Sequence, residues 1–201
     1  MKILTVKDIE KTLERIENIP DEDVSSSFIE IVNKQPEIAS FTEYMLSEVK
    51  EISNETRSAA IELLFNVLSA YYDKYKDIEH ISTDEITETI EEKHKEEEEQ
   101  FRLLGLDINN PEALDDATIE EMNKTFQQIV DDIQSGKALK GKKKKLADFM
   151  SAKMAQEKQK HLLDYIHYYI ENDEFIPEDD KAFISSIFDT LVQVLDKKVL
   201  S

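Results

Sequence analysis

Cysteine is absent from this sequence, and glycine and proline are scarce, with only three and four residues among 201. The absence of cysteine excludes a disulfide scaffold, a cysteine nucleophile and a thiolate zinc site. Scarce glycine and proline leave few positions for the tight turns that join strands into hairpins. Hydrophobic residues make up 40% of the chain, which is enough for a core. A chain of this length buries about two thirds of its unfolded surface, so it needs no disulfide or metal to fold.

Long apolar runs are also missing. No stretch approaches the roughly 20 apolar residues needed to span a bilayer. Residues 1–19 carry Asp8, Glu10, Glu14 and Glu17, so they lack the uninterrupted apolar region of a signal peptide. The sequence therefore predicts a cytoplasmic protein that does not associate with membranes.

Charge is plentiful and mostly of one sign. Acidic residues outnumber basic residues by 45 to 25, which gives a net charge of -20. Such a charge favours solubility and opposes nonspecific binding to nucleic acid or to anionic membranes.

The pattern of apolar residues predicts an all-α fold. Pro20, Pro36, Pro111 and Pro177 each precede an acidic residue and an apolar-periodic stretch, as expected at the first turn of a helix. We expect a single domain over residues 1–201, built as a multi-helix bundle or a short helical-repeat array of about eight helices. The predicted helices are 5–18, 22–34, 36–52, 54–76, 83–104, 112–135, 143–171 and 178–200.

Two helices are apolar around nearly their whole circumference, and they resemble one another. The helix at 59–75 aligns with the last helix at a shift of 123, which pairs Phe65 with Phe188 and the dipeptide 73–74 with 196–197. One interpretation is a degenerate duplication of two halves, 1–80 and 81–201. The other is that any two amphipathic helices align this well.

One stretch resembles a known type of protein. It runs from Gln35-Pro36-Glu37 through the leucine-rich helix to Ser82-Thr83-Asp84-Glu85, and the final helix over 179–199 adds to it. This pattern resembles a family of uncharacterised bacterial proteins that are acidic and all-helical, and it covers about half of the chain. The resemblance implies a helical fold and implies no function.

The most acidic segment is residues 91–100, ten residues without an apolar side chain. Glu96, Glu97, Glu98 and Glu99 lie at its centre. A dense charge run of this kind is commonly a solvated helical arm. The alternative is an acidic docking surface for a basic partner.

Residues 137–160 carry the opposite charge, with nine lysines against Asp148 and Glu157. The predicted structure is a lysine-rich loop before a long helix, which docks on the protein's own acidic arm 91–99 or on a second subunit. Clustered lysines also contact the phosphates of nucleic acid. However, no arginine or aromatic residue is interleaved among the lysines at 140–145, and the net charge repels nucleic acid.

Some histidine and carboxylate spacings match those of metal sites. Glu91 with His94 has the Glu-x-x-His spacing found in di-iron bundles. His161, Asp164 and His167 share one helical face, but that face lies opposite the apolar residues and is expected to point to water. We therefore predict no metal ligand.

Catalytic signatures are lacking as well, because the sequence has no nucleophile elbow and no glycine-rich dinucleotide loop. The sequence predicts a non-enzymatic protein-interaction module without a cofactor, which docks on an unidentified protein through charged surfaces; a homodimer is compatible with this. Two alternatives are a ferritin-like metal-binding protein and a nucleic-acid-associated protein, either a lysine-patch binder or a DNA mimic. The predicted interaction residues are Glu96, Glu97, Glu98, Glu99, Lys140, Lys142, Lys143, Lys144 and Lys145.

Overall fold

The computed structural model describes residues 3–104, 116–135, 137–156 and 158–200. Several side chains within 116–156 lie outside that description, among them the side chain of Lys142. The regular secondary structure of the described residues is helical, without a strand. The predicted all-α fold class is therefore confirmed.

Nine α-helices occur in the described ranges, one more than the sequence predicts. A π-helical turn, Met45–Val49, directly continues the third of them. The helices are α1 Val6–Glu17, α2 Asp21–Val32, α3 Pro36–Tyr44, α4 Asn54–Tyr75, α5 Thr83–Leu104, α6 Asp116–Gln134, α7 Gly141–Gln156, α8 Lys160–Asn172 and α9 Glu178–Val199.

Most helix starts follow from the residues at their amino ends. Acidic side chains occupy the first turns of α2 and α9, where they meet the positive end of the helix dipole. At α5, the backbone N–H of Ser82 donates to Glu85 Oε2 at 2.9 Å, and the N–H of Glu85 donates to Ser82 Oγ at 3.3 Å. This is the reciprocal capping box that the spacing of these two residues predicts. Thr5 and Asp8 form the same arrangement at α1.

The predicted helix over 143–171 is wrong, because α7 and α8 are separate helices. Gln159 lies between them with non-helical dihedral angles, φ -106° and ψ 45°, and is fully buried. Its side-chain amide forms hydrogen bonds to groups in the core, so Gln159 is not part of an exposed helix surface. The lysine segment also differs from the expected loop, since residues 141–145 belong to α7. Residues 112–115 of the predicted helix 112–135 lie outside the described residues.

The chain divides into two compact units. The first comprises Met1–Ile90 with Lys158–Ser201, and the second is Glu91–Glu157. These boundaries differ from the 80/81 division expected for duplicated halves.

The core of the first unit is built around α4 and α9, the two helices whose apolar residues surround them. In α4, Leu63, Leu64, Val67, Leu68 and Tyr71 are almost fully buried. Helices α1, α2, α8 and α9 pack against α4. The two helices that are apolar around nearly their whole circumference are therefore the central helices of this unit.

The second unit has a smaller core. Ile129, Leu146 and Ala147 are its buried apolar residues among the described side chains, and the end of α5 contributes Leu103 and Leu104 at the edge.

Contacts at the amino ends of α1 and α5 repeat one another within the first unit. The backbone N–H of Leu4 donates to Gln159 Oε1 at 2.8 Å, and that of Ile81 donates to Gln35 Oε1 at 2.9 Å. All four residues are fully buried. Each glutamine immediately precedes a helix, α8 in one case and α3 in the other.

The repetition continues at the ends of α4 and α9. Lys74 Nζ lies 2.7 Å from Asp8 Oδ2, and Lys198 Nζ lies 2.6 Å from Glu85 Oε1. Residues of α1 thus have their counterparts in α5 at a shift of 77 (8 to 85), and residues of α4 have theirs in α9 at a shift of 124 (74 to 198).

Buried threonines extend the pattern with the charge reversed. Thr12 Oγ1 donates to Asp73 Oδ2 at 2.9 Å, whereas Lys197 Nζ donates to Thr89 Oγ1 at 2.9 Å. Between α4 and α9 the contacts therefore repeat at a shift of 124. This differs by one position from the shift of 123 that best aligns identical residues of the two helices. A duplication of the chain stays a prediction.

Within the described ranges, every helix is too short or too polar to cross a bilayer.

Candidate binding surfaces

The acidic arm, residues 91–99, lies on the part of α5 that belongs to the second unit. Its carboxylates pair mostly along their own helix. Glu99 accepts two hydrogen bonds from the Arg102 guanidinium, at 2.7 and 2.6 Å. His94 lies 3.4 Å from Glu98, and Lys95 lies 3.9 Å from Glu91. Pairs at this spacing stabilise their own helix.

Glu96 and Glu97 differ from their neighbours. Neither contacts a basic side chain among the described residues. Of these two, Glu97 is exposed and Glu96 is partly buried.

The predicted lysines lie at the amino end of α7 and just before it. Lys140, Lys144 and Lys145 are exposed and form no ion pair with a described residue. Lys143 is held differently, since its Nζ donates to Gln128 Oε1 at 3.0 Å and lies 3.9 Å from Asp132. The side chain of Lys142 lies outside the described residues.

Lys137 and Lys143 contact α6, whereas the sequence predicted docking of the lysine segment on the acidic arm or on a second subunit. Asp132 of α6 lies 3.1 Å from Lys137 Nζ, which accounts for a second lysine of the segment. The acidic arm and the lysines interact electrostatically. The Arg102 guanidinium holds the pKa of Glu99 below its usual range, and the charge of Lys145 lowers that pKa by a smaller amount. Hydrogen bonds between the two segments are not among the described contacts.

The position of these lysines in their helix is unfavourable. The first turn of α7 contains no acidic residue and several lysines. The amino end of a helix carries a partial positive charge, so cations there cost about 0.3–1 kcal/mol each where the site is exposed. Repulsion among the neighbouring lysines adds to that cost.

The histidines lie on exposed surfaces. His167 Nε2 is 3.1 Å from Asp189 Oδ1, and His161 is exposed beside it on α8. Leu162 and Ile166 are fully buried on the opposite side of the helix, as the periodicity predicts. Among the described residues, no group of three histidine or carboxylate side chains converges on a point that would hold a metal ion.

A buried polar cluster in the first unit was not predicted as a site from the sequence. Tyr71 OH donates to Asp196 Oδ1 at 2.7 Å and to the carbonyl of Val192 at 3.3 Å. Gln159 Nε2 donates to Tyr75 OH at 2.7 Å, and the Gln159 side chain also bonds to Asp196. The cluster joins α4, α9 and the residue before α8.

Burial decides the ionisation of this cluster. It raises the pKa of Asp196 from 3.8 to about 6, against the hydrogen bonds from Tyr71 and Gln159 and the charge of Lys158, which lower it. Burial, and then the Asp196 carboxylate, raise the pKa of Tyr71 well above its usual value. The sequence carried a signal here, because Asp196 interrupts the apolar face of α9 directly after Leu195.

A cleft of about 370 Å³ lies on the first unit between α1, α2 and α4. Ile31, Phe65 and Tyr72 form its apolar wall, and Arg15, Lys34 and Lys76 line it with positive charge, an arrangement that sequence spacing did not indicate.

Comparison with protein-family models, with curated proteins and with solved structures finds no match for this chain. The resemblance to acidic all-helical bacterial proteins therefore stays a prediction.

Proposed function

We propose that the protein is a non-enzymatic helical interaction module that docks on an acidic protein surface. Its contact residues are Lys140, Lys144 and Lys145, at the amino end of α7. The observation that carries this proposal is the placement of exposed lysines, without an ion pair to any described residue, where the helix dipole opposes them. A sequence that accepts such a cost at one surface commonly gains function there.

Electrostatic complementarity supports a protein partner over nucleic acid. The surface formed by Lys140, Lys144 and Lys145, called the lysine surface below, has no interleaved arginine or aromatic residue. The chain as a whole carries a charge of -20. Complementary charge at an interface raises the association rate and selects the partner more than it raises affinity. We therefore expect the complex to form quickly and to weaken at high salt.

Glu96 and Glu97 supply the second part of the interface in this proposal. Neither forms an ion pair with a described residue, and both lie on the same unit as the lysines. A partner with a mainly acidic surface and a neighbouring basic group would match both features, and a purely basic partner would be repelled by the lysines.

The test is a triple charge reversal, Lys140→Glu, Lys144→Glu and Lys145→Glu. Its matched control reverses Lys7, Lys11 and Lys160, which are also exposed and carry no ion pair with a described residue. Both variants change the net charge equally. Each protein is crosslinked in its host and the captured molecules are identified by mass spectrometry.

We expect the wild type and the control variant to capture the same acidic protein, and the lysine-surface variant to lose it. Equal capture by all three proteins would contradict the proposal. Capture of nucleic acid through Lys140, Lys144 and Lys145 would replace the protein partner with a nucleic-acid partner.

A further inference from the structure

The cleft on the first unit contains more positive than negative charge, unlike the chain as a whole. Three cationic side chains line it, Arg15, Lys34 and Lys76, against the two carboxylates Glu30 and Asp73. The cleft thus has an excess of one positive charge, whereas the whole protein has a net charge of -20. A local potential of the opposite sign in a concave site attracts anions.

Two of the three cations are already engaged. Arg15 Nε lies 3.0 Å from Asp73 Oδ2, which also accepts a hydrogen bond from Thr12. Lys34 Nζ lies 3.1 Å from Glu30 and 5.1 Å from the centre of the Tyr72 ring. The ring fixes the position of the Lys34 ammonium over the cleft wall.

Lys76 is the cation that remains uncompensated. Its ammonium forms no ion pair or hydrogen bond with a described residue, although it lines the same cleft. Lys76 is an exposed residue at the cleft, so its charge is open to solvent and accessible to an anion bound there.

The backbone at Lys76 is unusual and points to the same residue independently. Lys76 has φ 60° and ψ -59°, and the N–H of Asp77 donates to the carbonyl of Tyr75 at 2.7 Å. This is the strained form of the γ-turn, which residues with a Cβ atom rarely adopt. Glycine adopts positive φ without this cost, yet the chain has lysine here. Strain of this kind is concentrated at ligand-binding positions.

We propose that this cleft binds a small organic phosphate, with its phosphate held by Lys76 and Lys34 and its apolar body against Ile31 and Phe65. Lysine ammonium groups bind phosphate as point charges and need no bidentate geometry. The hydroxyl of Ser27 lines the cleft and supplies a neutral donor. A volume of about 370 Å³ is in the range of small-molecule sites.

The experiment measures binding of phenyl phosphate and of inorganic phosphate to the full chain at low salt, by calorimetry with NMR shift mapping. We expect phenyl phosphate to bind more tightly than inorganic phosphate and to shift resonances of the cleft residues. Lys76→Ala should weaken phenyl phosphate binding about tenfold, the loss expected for a charge-assisted hydrogen bond. Lys76→Arg should retain binding.

Further variants distinguish the loss of the Lys76 ammonium group from a loss of folding and test the apolar wall. Lys76→Gly relieves the strained turn and removes the ammonium, so it should lose binding as Lys76→Ala does while remaining folded. Lys160→Ala removes an exposed lysine of the same unit and should bind as the wild type does. Ile31→Ser should weaken phenyl phosphate but leave inorganic phosphate unchanged.

The proposal is overturned if phenyl phosphate does not bind, if the shifted resonances lie outside the cleft, or if Lys76→Ala and Lys160→Ala have the same effect. Equal affinity for the two phosphates would overturn the role of the apolar wall. The lysine surface of α7 is not part of this site, so failure here leaves the proposed docking function standing.

Discussion

At the scale of single residues, burial and local charge set the behaviour of a few side chains whose type alone says little. Asp196 and Asp8 are both aspartates of the first unit, yet burial raises the pKa of Asp196 to about 6, while hydrogen bonds from Lys74 and Thr5 lower the pKa of Asp8 to about 2. A chain with 45 acidic residues gives no means of selecting these from the sequence, because the selection depends on which helices cover them.

Asp196 is expected to make the protein more stable as the pH falls from 7 to 5. A carboxyl whose pKa is raised on folding binds a proton more tightly in the folded state, so its contribution is complete below the unfolded pKa of 3.8 and is lost as the pH rises through about 6. The gain between pH 7 and pH 5 should be about 1 kcal/mol in the free energy of unfolding, measured with urea.

Asp196→Asn serves as the control for that measurement. Asparagine does not ionise and keeps an oxygen that accepts the hydrogen bond from Tyr71, so the gain between pH 7 and pH 5 should disappear. A variant with the same pH profile as the wild type would rule out Asp196 as its origin. Below pH 4 the trend reverses, because Asp8 and Glu85, both with pKa lowered to about 2, lose their ion pairs with lysine as the pH falls.

Lys76→Gly is expected to raise the free energy of unfolding. Glycine adopts the positive φ of this γ-turn without a Cβ clash, and the relief should amount to about 1 kcal/mol. Lys76→Ala keeps the Cβ atom and should give no such gain. Urea unfolding of the two variants distinguishes backbone strain from the loss of the side chain, and equal stability of both would argue against strain.

At the scale of helices, the sequence predicted well which segments are helical. It predicted where a helix begins only where a capping residue or a proline marks the start. The Ser82–Glu85 capping box and the prolines at 36 and 177 fix the starts of α5, α3 and α9. The break between α7 and α8 was missed because Gln159 carries no turn signal of its own. Its non-helical backbone depends on bonds to Leu4 and Tyr75, which are distant in the sequence.

Gln159→Ala is expected to destabilise the first unit by about 1–3 kcal/mol. The substitution leaves the buried N–H of Leu4 without its acceptor and removes the hydrogen bond from Gln159 to the Tyr75 hydroxyl, and an unsatisfied buried group costs about 1–3 kcal/mol. Gln35→Ala, at the equivalent position, should cost a similar amount through Ile81. Thermal unfolding of both variants provides the measurement, and a change below about 0.5 kcal/mol in either would contradict the role given to these amides.

Lys144→Glu is expected to stabilise α7 while it weakens binding to an acidic partner. A carboxylate in place of the lysine reverses its unfavourable interaction with the helix dipole and neighbouring lysines, a gain of about 0.5–1 kcal/mol. Lys144→Gln should give roughly half of that gain. Hydrogen exchange of the α7 amides reports the effect, and slower exchange in the wild type than in Lys144→Glu would contradict it.

At the scale of the whole molecule, the contacts that repeat between α1 and α5 lie in the first unit. The predicted docking residues lie in the second unit. The shift between equivalent positions grows from 77 to 124 across the second unit, which occupies residues 91–157. Charge patterning located this unit's lysines and acids. It could not show that Asp132 neutralises part of the lysine segment, since that pairing depends on the packing of α6 beside α7.

The two units are expected to differ in stability. The first unit's core contains most of the buried apolar residues of α4 and α9, and the second unit has three among its described side chains. Amides of α4 and α9 should therefore exchange only through global unfolding, and those of α6 and α7 through opening at lower free energy. Uniform protection across both units would contradict this difference.

The most direct test of the docking function is lysine labelling in the cell followed by mass spectrometry. Reactivity is compared between the protein in its host and the purified chain. We predict that Lys140, Lys144 and Lys145 are protected in the host, while Lys7, Lys11 and Lys160 react equally in both. Equal reactivity of the α7 lysines in the host and in the purified chain would contradict docking through this surface.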